Sequence, residues 1–246
     1  MKTLVKLEIT RTLRNRKFMF FSVMYPAILF TISTLGSGKD KKVDGLGLTY
    51  VAYYMVAMAA FGAMTAVLMG NAERIARERE KGWVRQLRLT ALPGRGYVAA
   101  KIAAAATVSL PSILIVLVLG ATVKNVHMAA WQWIAIAVST WAGSLVFAAL
   151  GVAIGYIATA DAARPISMIF YFGLAGLGGL WVPLTGLPHW AQTLISYLPG
   201  RPYAALGQAI ELGDAPHAKD ITVLFVYLLL FAGAAAWLYR KDTRKA

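Results

Sequence analysis

The sequence lacks cysteine and is poor in charge. None of its 246 residues is cysteine, and only 15% are charged, against about 25% in typical soluble domains. The absence of cysteine excludes disulfides, thiolate metal sites and a cysteine nucleophile. The scarcity of charge, together with 59% hydrophobic residues, indicates a membrane protein rather than a soluble one.

Long runs without charge predict how often the chain crosses the membrane, because a helix needs roughly 20 apolar residues to cross a ~30 Å hydrocarbon core. We predict an all-α polytopic membrane protein, a single transmembrane domain over residues 1–246 with six transmembrane helices. The predicted spans are 18–37, 47–70, 102–122, 131–157, 165–182 and 220–239. The first run is long and lacks a small-residue cleavage site, which favours a retained anchor over a signal peptide.

Acidic residues are also few: 11 Asp and Glu stand against 25 Lys and Arg, a formal net charge of +14. With both termini in the cytoplasm, 19 of the basic residues fall on the cytoplasmic side and six on the other. The positive-inside rule therefore predicts an N-in/C-in topology. Anionic lipid headgroups account for basic residues beside membrane spans, so we expect no nucleic-acid partner.

Groups for catalysis within the membrane are missing. The charge-free runs that define the spans supply no Asp, Glu, Lys or Arg, which ion-coupled transporters and most intramembrane enzymes need. His127, His189 and His217 fall in predicted outer loops, without the i,i+4 spacing of a metal site. No G-x-x-x-x-G-K-[ST] motif is present to bind nucleotide phosphates. We expect no catalytic residue, no metal and no ATP site in this chain.

The most charged stretch lies between the second and third predicted spans. Residues 72–92 can form a helix whose apolar side carries residues at three- and four-residue spacing: Trp83, Val84, Leu87 and Ala91. Glu73 and Arg77 form an i,i+4 pair on it. A basic tether would explain the Lys and Arg residues alone. A docking surface for a soluble partner would also explain the acidic residues and the apolar side.

This stretch resembles the segment between the second and third spans of type-2 ATP-binding-cassette permeases, the membrane halves of many bacterial exporters. The residues that match the family pattern are Glu80, Gly82, Leu87, Thr90, Leu92, Tyr97 and Lys101. Trp83 and Ala91 depart from it. The resemblance implies that 72–92 is a cytoplasmic coupling helix that docks on an ATPase. The implied coupling residues are Arg77, Glu78, Glu80, Gly82, Trp83, Val84 and Leu87.

A second segment resembles the same family in having a proline-containing break before the last span. Pro183, Pro188 and Pro199 forbid one continuous helix there. The helical stretches between them, 190–198 and 203–212, are each too short to span. We predict an outer re-entrant segment over 183–213, with an ordinary amphipathic outer loop as the alternative.

Residues 1–17 are predicted to form an amphipathic interfacial helix. Val5, Ile9 and Leu13 recur every four residues among basic residues, a pattern typical of a helix lying on the inner membrane surface. In the resembling family such a helix also touches the ATPase. Contact with lipid alone is the alternative.

One face of the second span is a candidate substrate path. It carries methionine, aromatic and hydroxyl side chains that suit varied ligands: Tyr54, Met58, Phe61 and Thr65. Ordinary helix packing or lipid contact is the alternative for this face.

The leading expectation is the permease subunit of an ATP-driven exporter in the bacterial plasma membrane. It would form a homodimer, or a heterodimer with a similar chain, and bind two copies of a separate ATPase subunit that holds ATP and Mg. The charge-free interior favours a hydrophobic or amphiphilic cargo, drug-like or lipid-like. The alternative is a non-transporting membrane sensor, or an immunity protein that binds an amphiphilic toxin. An integral-membrane enzyme lacks candidate catalytic groups.

Overall fold

The computed structural model describes residues 2–36, 41–82 and 94–244, and these residues form a helical bundle. The α-helices in the described ranges are α1 (Lys2–Arg14), α2 (Arg16–Ser33), α3 (Tyr50–Glu80), α4 (Gly94–Thr122), α5 (Ala130–Ile157), α6 (Ala160–Leu177), α7 (His189–Ile195), α8 (Gly200–Glu211) and α9 (Ala218–Arg244). A 3₁₀ turn, Leu184–Gly186, precedes α7. The only extended pairing in the described ranges is an isolated bridge between Lys42 and Thr49.

Four of the described helices are long and apolar enough to cross a membrane, namely α3, α4, α5 and α9. They correspond to the second, third, fourth and sixth predicted spans. The first and fifth predicted spans correspond to α2 and α6, which have 18 residues each. At a rise of about 1.5 Å per residue such a helix is ~27 Å long, slightly less than a ~30 Å hydrocarbon core. The six-span topology stays a prediction.

Helix α6 differs in its bounds from the predicted span 165–182. The helix begins five residues earlier because Thr159 caps it, its side-chain oxygen accepting a hydrogen bond from the Ala162 amide at 3.4 Å. It ends at Leu177 because Gly178 and Gly179 follow, and Gly179 has a φ of +74°. A Cβ at Gly178 would lie 2.7 Å from the Gly200 carbonyl oxygen. Glycine at this position therefore allows the start of α8 to approach α6.

Helix α3 is the central helix of the bundle. It packs against α2, α4, α5, α6 and α8, and 94% of its most apolar window is buried. The contact with α5 is close because α5 carries glycine there: a Cβ on Gly151 would lie 2.6 Å from the Leu68 carbonyl oxygen, and one on Gly155 would lie 2.7 Å from Ile75 Cβ. Small residues at helix interfaces allow this kind of approach in membrane proteins.

The outer segment contains two short helices, as its prolines predict. They are α7, which begins directly after Pro188, and α8, which begins directly after Pro199. Helix α8 packs against α3, α5 and α9. Its Tyr203 is 1% exposed, and the hydroxyl lies 3.2 Å from the Ala60 carbonyl oxygen and 3.1 Å from that of Thr140. Helix α8 is thus part of the bundle core, whereas entry of the segment into the membrane stays a prediction.

The N-terminal helix α1 turns polar side chains toward the bundle. Over residues 6–14 the buried side chains are those of Glu8 and Thr12, whereas Ile9 is half-buried and Leu13 is 48% exposed. The reason is that Glu8 has charged partners inside the bundle. The chain then turns into α2 at Asn15, whose side chain accepts a hydrogen bond from the Phe18 amide at 3.2 Å.

Candidate functional site

One end of the bundle gathers the ends of five helices. The start of α4 and the last turns of α3 meet α1 there, and the end of α5 and the start of α6 join them. We call this end the basic end. At its centre lies an ionic cluster of five side chains: Glu8 and Arg11 of α1, Arg74 and Glu78 of α3, and Lys101 of α4.

Lys101 is the centre of the ionic cluster. Its Nζ donates to Glu8 Oε1 at 2.7 Å and to Glu78 Oε1 at 2.9 Å, and it lies 2.8 Å from Glu78 Oε2. The side chain is 1% exposed, and the two carboxylates are 6% and 4% exposed. One ammonium group therefore joins α1, α3 and α4 through charge-assisted hydrogen bonds that solvent barely reaches.

Two arginines complete the cluster from its rim. Arg74 Nη1 donates to Glu8 Oε2 at 3.1 Å, and Arg11 Nη1 donates to Glu78 Oε1 at 3.0 Å. Burial alone would raise the pKa of the Glu8 carboxyl, but the charges and hydrogen bonds of Lys101 and Arg74 outweigh burial and hold this pKa below its usual value. Glu8 is thus an ionised, structural carboxylate.

The last turn of α3 also holds α5 and α6. Arg79 Nη1 donates to the carbonyl oxygens of Gly155 at 3.1 Å and Ala158 at 3.3 Å, at the end of α5. Glu80 Oε1 accepts from the Ala160 amide at 2.6 Å, at the start of α6. A cation at a helix C-terminus and an anion at a helix N-terminus both match the helix dipole. The end of α3 therefore contacts four other helices through charged side chains.

The predicted coupling residues separate into four groups. Arg77 is 61% exposed and forms the predicted i,i+4 pair with Glu73 at 2.6 Å. Glu78 and Glu80 instead make contacts within the bundle. Gly82 has a φ of +70°, directly after the Lys81 cap that ends α3. Trp83, Val84 and Leu87 lie outside the described residues.

Helix α3 continues past the predicted boundary between a span ending at residue 70 and a helix beginning at residue 72. The helix is unbroken from Tyr50 to Glu80, so residues 72–80 belong to the same helix as the second span. The part of the predicted coupling helix beyond Gly82 lies outside the described residues, and the coupling helix stays a prediction.

The ionic cluster itself is not evident from the sequence. The sequence marks Lys101 by its match to the family pattern, and it contains no motif that includes Glu8. A signal for Glu8 exists, because it is the only acidic residue before Asp40 and lies in a basic helix. No local pattern pairs it with a lysine 93 positions away.

The candidate substrate-path residues lie on one face of α3 and pack against α6 and the chain after it. Tyr54 donates to the Trp181 carbonyl oxygen at 2.5 Å, and the rings of Phe61 and Tyr171 stack with centroids 4.7 Å apart. Thr65 hydrogen bonds with the Tyr171 hydroxyl. Met58 is 2% exposed. In this conformation Tyr54, Met58 and Phe61 are buried and Thr65 is half-buried, and Tyr171 of α6 contacts Phe61 and Thr65.

The outer surface of the bundle is also apolar along several helices. Large hydrophobic side chains are exposed along α2, α6 and α9, among them Phe21, Ile169 and Leu229 at 64%, 73% and 58%. A soluble protein rarely exposes apolar patches of this extent. With four span-length helices in the described ranges, these surfaces define a multi-pass membrane protein.

Comparison with known proteins identifies the class more closely. Residues 30–237 match the family described as "ABC-2 family transporter protein", and the chain belongs to this family. It is 28% identical over 238 residues to "Putative transport permease YvfS" of Bacillus subtilis (strain 168), and the alignment covers 96% of this chain and 95% of that protein. The chain is a transport permease subunit, and its family implies association with an ABC ATPase and with the membrane.

Proposed function

We propose that this chain is the transmembrane subunit of an ATP-driven exporter that moves a hydrophobic or amphiphilic compound out of the cell. Two copies, or this chain and a similar one, enclose the path, and two separate ATPase subunits bind ATP and Mg. The basic end faces the cytoplasm, where the ATPases dock. The observation that carries this proposal, beyond the family itself, is the ionic cluster at the basic end.

The cluster supports a coupling role through the chain connectivity. The segment from Lys81 to Pro93 joins α3 to α4, and Glu78 and Lys101 link the two helices on either side of it at 2.8–2.9 Å. Glu8 adds α1 to the same unit. A displacement of the segment by an ATPase would therefore move α1, α3 and α4 together rather than bend one helix. Arg79 and Glu80 would carry the displacement to α5 and α6.

The distribution of charge supports the orientation. With the basic end on the cytoplasmic side, 19 of the 25 Lys and Arg residues lie on that side, as the positive-inside rule requires. Both termini are then cytoplasmic.

The packing of α6 over α3 suggests how a path could open. The face with Tyr54, Phe61 and Thr65 is aromatic and hydroxyl-bearing, without an ionisable acid or base that would bind a strongly charged cargo. Its cover is α6, and the Glu80 contact to the Ala160 amide connects the start of α6 to the end of α3. A movement at the basic end would thus reach the helix that covers the candidate path.

The test is a pair of variants in the segment between α3 and α4, expressed with the partner ATPase. We expect Trp83→Ala with Leu87→Ala to abolish most co-purification of the ATPase and cargo-stimulated ATP hydrolysis, since buried aromatic and aliphatic anchors carry most of an interface's energy, often ~2 kcal/mol or more each. Arg95→Ala is the matched control, with an expected effect below ~1 kcal/mol. A double variant that retains its ATPase and full stimulated hydrolysis contradicts the coupling role.

A further inference from the structure

A small cavity lies at the end of the bundle opposite the basic end. Its volume is about 200 Å³, and it lies between the start of α3, the loop joining α4 to α5, and the end of α8. Its wall includes Val51, Lys124, His127, Met128 and Glu211. This volume is below the range of drug-sized pockets, so the cavity suits a small organic group rather than a whole drug-like molecule.

Glu211 is the acidic group in the cavity wall. Its Oε2 atom is buried and has no hydrogen-bond partner in the part of the chain that the structure describes. Burial raises the pKa of this carboxyl to about 8. Glu211 as a residue is partly exposed, but a carboxyl oxygen that is buried without a partner costs free energy, so the position of Oε2 is not explained by the stability of the fold.

The charges of α8 are also reversed with respect to its dipole. Arg201 lies in the first turn and Glu211 is the last residue of the helix. A basic residue near a helix N-terminus and an acidic residue at a C-terminus are both unfavourable. Arg201 donates to Gln208 Oε1 at 2.8 Å, on the same helix. The described residues supply no such partner to Glu211 Oε2, and a cation bound beside this atom would compensate its charge.

Hydrogen bonds fix the backbone that carries the Glu211 side chain. Gln132 of α5 donates from Nε2 to the Ile210 carbonyl oxygen at 2.8 Å and to the Glu211 carbonyl oxygen at 3.0 Å. Gln132 Oε1 accepts from the Ala129 amide at 2.8 Å, so its own orientation is fixed. The end of α8 is thus bound to the start of α5, and the cavity wall is preorganised.

Neither Lys124 nor His127, the other titratable residues of the wall, is hydrogen-bonded to the Glu211 carboxyl. Lys124 directs its Nζ to the Thr34 carbonyl oxygen at 3.0 Å, at the end of α2. His127 is exposed on the loop. The start of α3 contributes Val51 and Ala52 to the wall, and its N-cap contributes Thr49. None of these three side chains is ionisable. Glu211 is therefore the acidic group available to a cation there.

We propose that this cavity binds a small primary ammonium group, with the Glu211 carboxylate as its counter-ion and the side chains of Val51 and Met128 as the apolar wall. The ammonium group could belong to a free organic amine or to the ethanolamine headgroup of a lipid. The inference concerns binding to this chain and does not depend on export. It goes beyond the proposed function, because none of the candidate path residues lines this cavity.

The test measures binding of benzylamine to the purified full-length chain in phosphatidylglycerol nanodiscs by calorimetry at pH 7, with benzyl alcohol as the neutral analogue. We expect benzylamine to bind and benzyl alcohol to bind at least about tenfold more weakly. Glu211→Gln should weaken benzylamine binding at least about tenfold, since a hydrogen bond to a charged group is lost. Asp214→Asn, in the exposed loop after α8, is the matched control and should bind as the wild type does. Equal affinity of wild type and Glu211→Gln, equal affinity for the two ligands, or no binding of benzylamine overturns the proposal.

Proton release gives a readout that needs no folded Glu211 variant. At pH 7 the carboxyl is mainly protonated, because its pKa lies near 8. Binding of an ammonium ion ionises the Glu211 carboxyl and releases about one proton, so the heat of binding should depend on the ionisation enthalpy of the buffer. His127→Gln should keep this release, which excludes the histidine as its source. Binding without proton release overturns the role of Glu211.

The lipid composition distinguishes the two sources of the ammonium group. If a lipid headgroup occupies the cavity, nanodiscs containing phosphatidylethanolamine should weaken benzylamine binding to the wild type in proportion to the lipid fraction, and should leave the residual binding of Glu211→Gln unchanged. If the ligand is a free amine, the lipid has no effect on the wild type. If the lipid weakens benzylamine binding equally in the wild type and in Glu211→Gln, the lipid acts at another site. That result contradicts occupancy of this cavity by the lipid headgroup.

Discussion

Helices α3 and α9 have similar hydropathy and opposite positions in the bundle. The most apolar window of α3 has a mean hydropathy of 1.8 and is 94% buried, whereas that of α9 has 2.3 and is 11% buried. The more apolar helix is therefore the more exposed one. In a soluble protein the order would be reversed, because apolar residues go inside. In a bilayer the lipid is as apolar as the core, so burial follows from other properties.

The composition of the two helices explains the difference. Helix α3 carries small residues where other helices cross it, such as Ala60, Gly62 and Ala63, all of them buried. Helix α9 carries large side chains on its outer surface, such as Phe225, Leu229 and Leu230, all more than half exposed. Small residues favour helix contact, and large aliphatic or aromatic residues suit lipid. Hydropathy predicts that a helix crosses the membrane, whereas the distribution of small residues predicts which helix is central.

The largest expected effect comes from adding bulk at a glycine that faces α3. Gly151→Val should destabilise the bundle by more than ~3 kcal/mol, because its Cβ would lie 2.6 Å from a backbone oxygen of α3 that cannot move aside. Gly233→Val on α9 is the matched control, since no atom lies within 4 Å of a Cβ there. Thermal unfolding in detergent measures both. Equal unfolding temperatures for the two variants would mean that α5 does not pack on α3 in this way.

The next effect concerns the charged end of each helix. Lys101→Met should cost about 3–5 kcal/mol, because it leaves Glu8 and Glu78 buried without their central ammonium partner. Lys241→Met at the end of α9 is the matched control. Lys241 is exposed and lies 5.1 Å from the Trp237 ring, a contact worth less than ~1 kcal/mol at an exposed site. The difference in unfolding temperature between the two variants measures how firmly the cluster joins α1, α3 and α4. If both variants lower the unfolding temperature by the same small amount, the ionic cluster does not join α1, α3 and α4 into one unit.

Much of the helical arrangement could be predicted from the sequence, because length and hydropathy are local properties. The existence of four span-length helices near the predicted spans 47–70, 102–122, 131–157 and 220–239 follows from charge-free runs, and the short helices before and after Pro199 follow from the prolines. The extent of α3 to Glu80 was not predicted. The change from apolar to charged residues after residue 70 resembles a boundary, but the helix continues because Arg74, Glu78 and Arg79 have partners on other helices.

The candidate site was predicted less well, for the same reason. The partners of Glu78 come from positions 11 and 101, and periodicity within one helix carries no information about them. Glu78 and Glu80 stand out in the sequence as charges near membrane spans, and a surface role is the simplest expectation for such residues. Only the arrangement of the helices distinguishes a residue that joins them from one that meets a partner.

The smallest expected effect is a pH dependence of the stability that the ionic cluster provides. An exposed charged surface would not show this dependence, so the measurement distinguishes the two. The pKa of Glu8 in the folded chain lies below its usual value of 4.5. The ionised carboxylate therefore stabilises the fold above about pH 4.5, and this contribution is lost as the pH falls through the lowered pKa. We expect Glu8→Gln to lower the unfolding temperature at pH 7, and the gap to the wild type to narrow as the pH falls below 4.5, on the order of 1 kcal/mol per pH unit.

Glu73→Gln is the control for this measurement. Glu73 pairs with Arg77 at 2.6 Å, but Arg77 is 61% exposed, and an exposed i,i+4 pair is worth roughly 0.3–0.5 kcal/mol. Its removal should change the unfolding temperature little at any pH. If the gap between wild type and Glu8→Gln stays constant from pH 7 to below 4, Glu8 stabilises the bundle by its shape rather than its charge. The end of α3 would then be held by packing alone, and the ionic cluster would not be the element that transmits force between α1, α3 and α4.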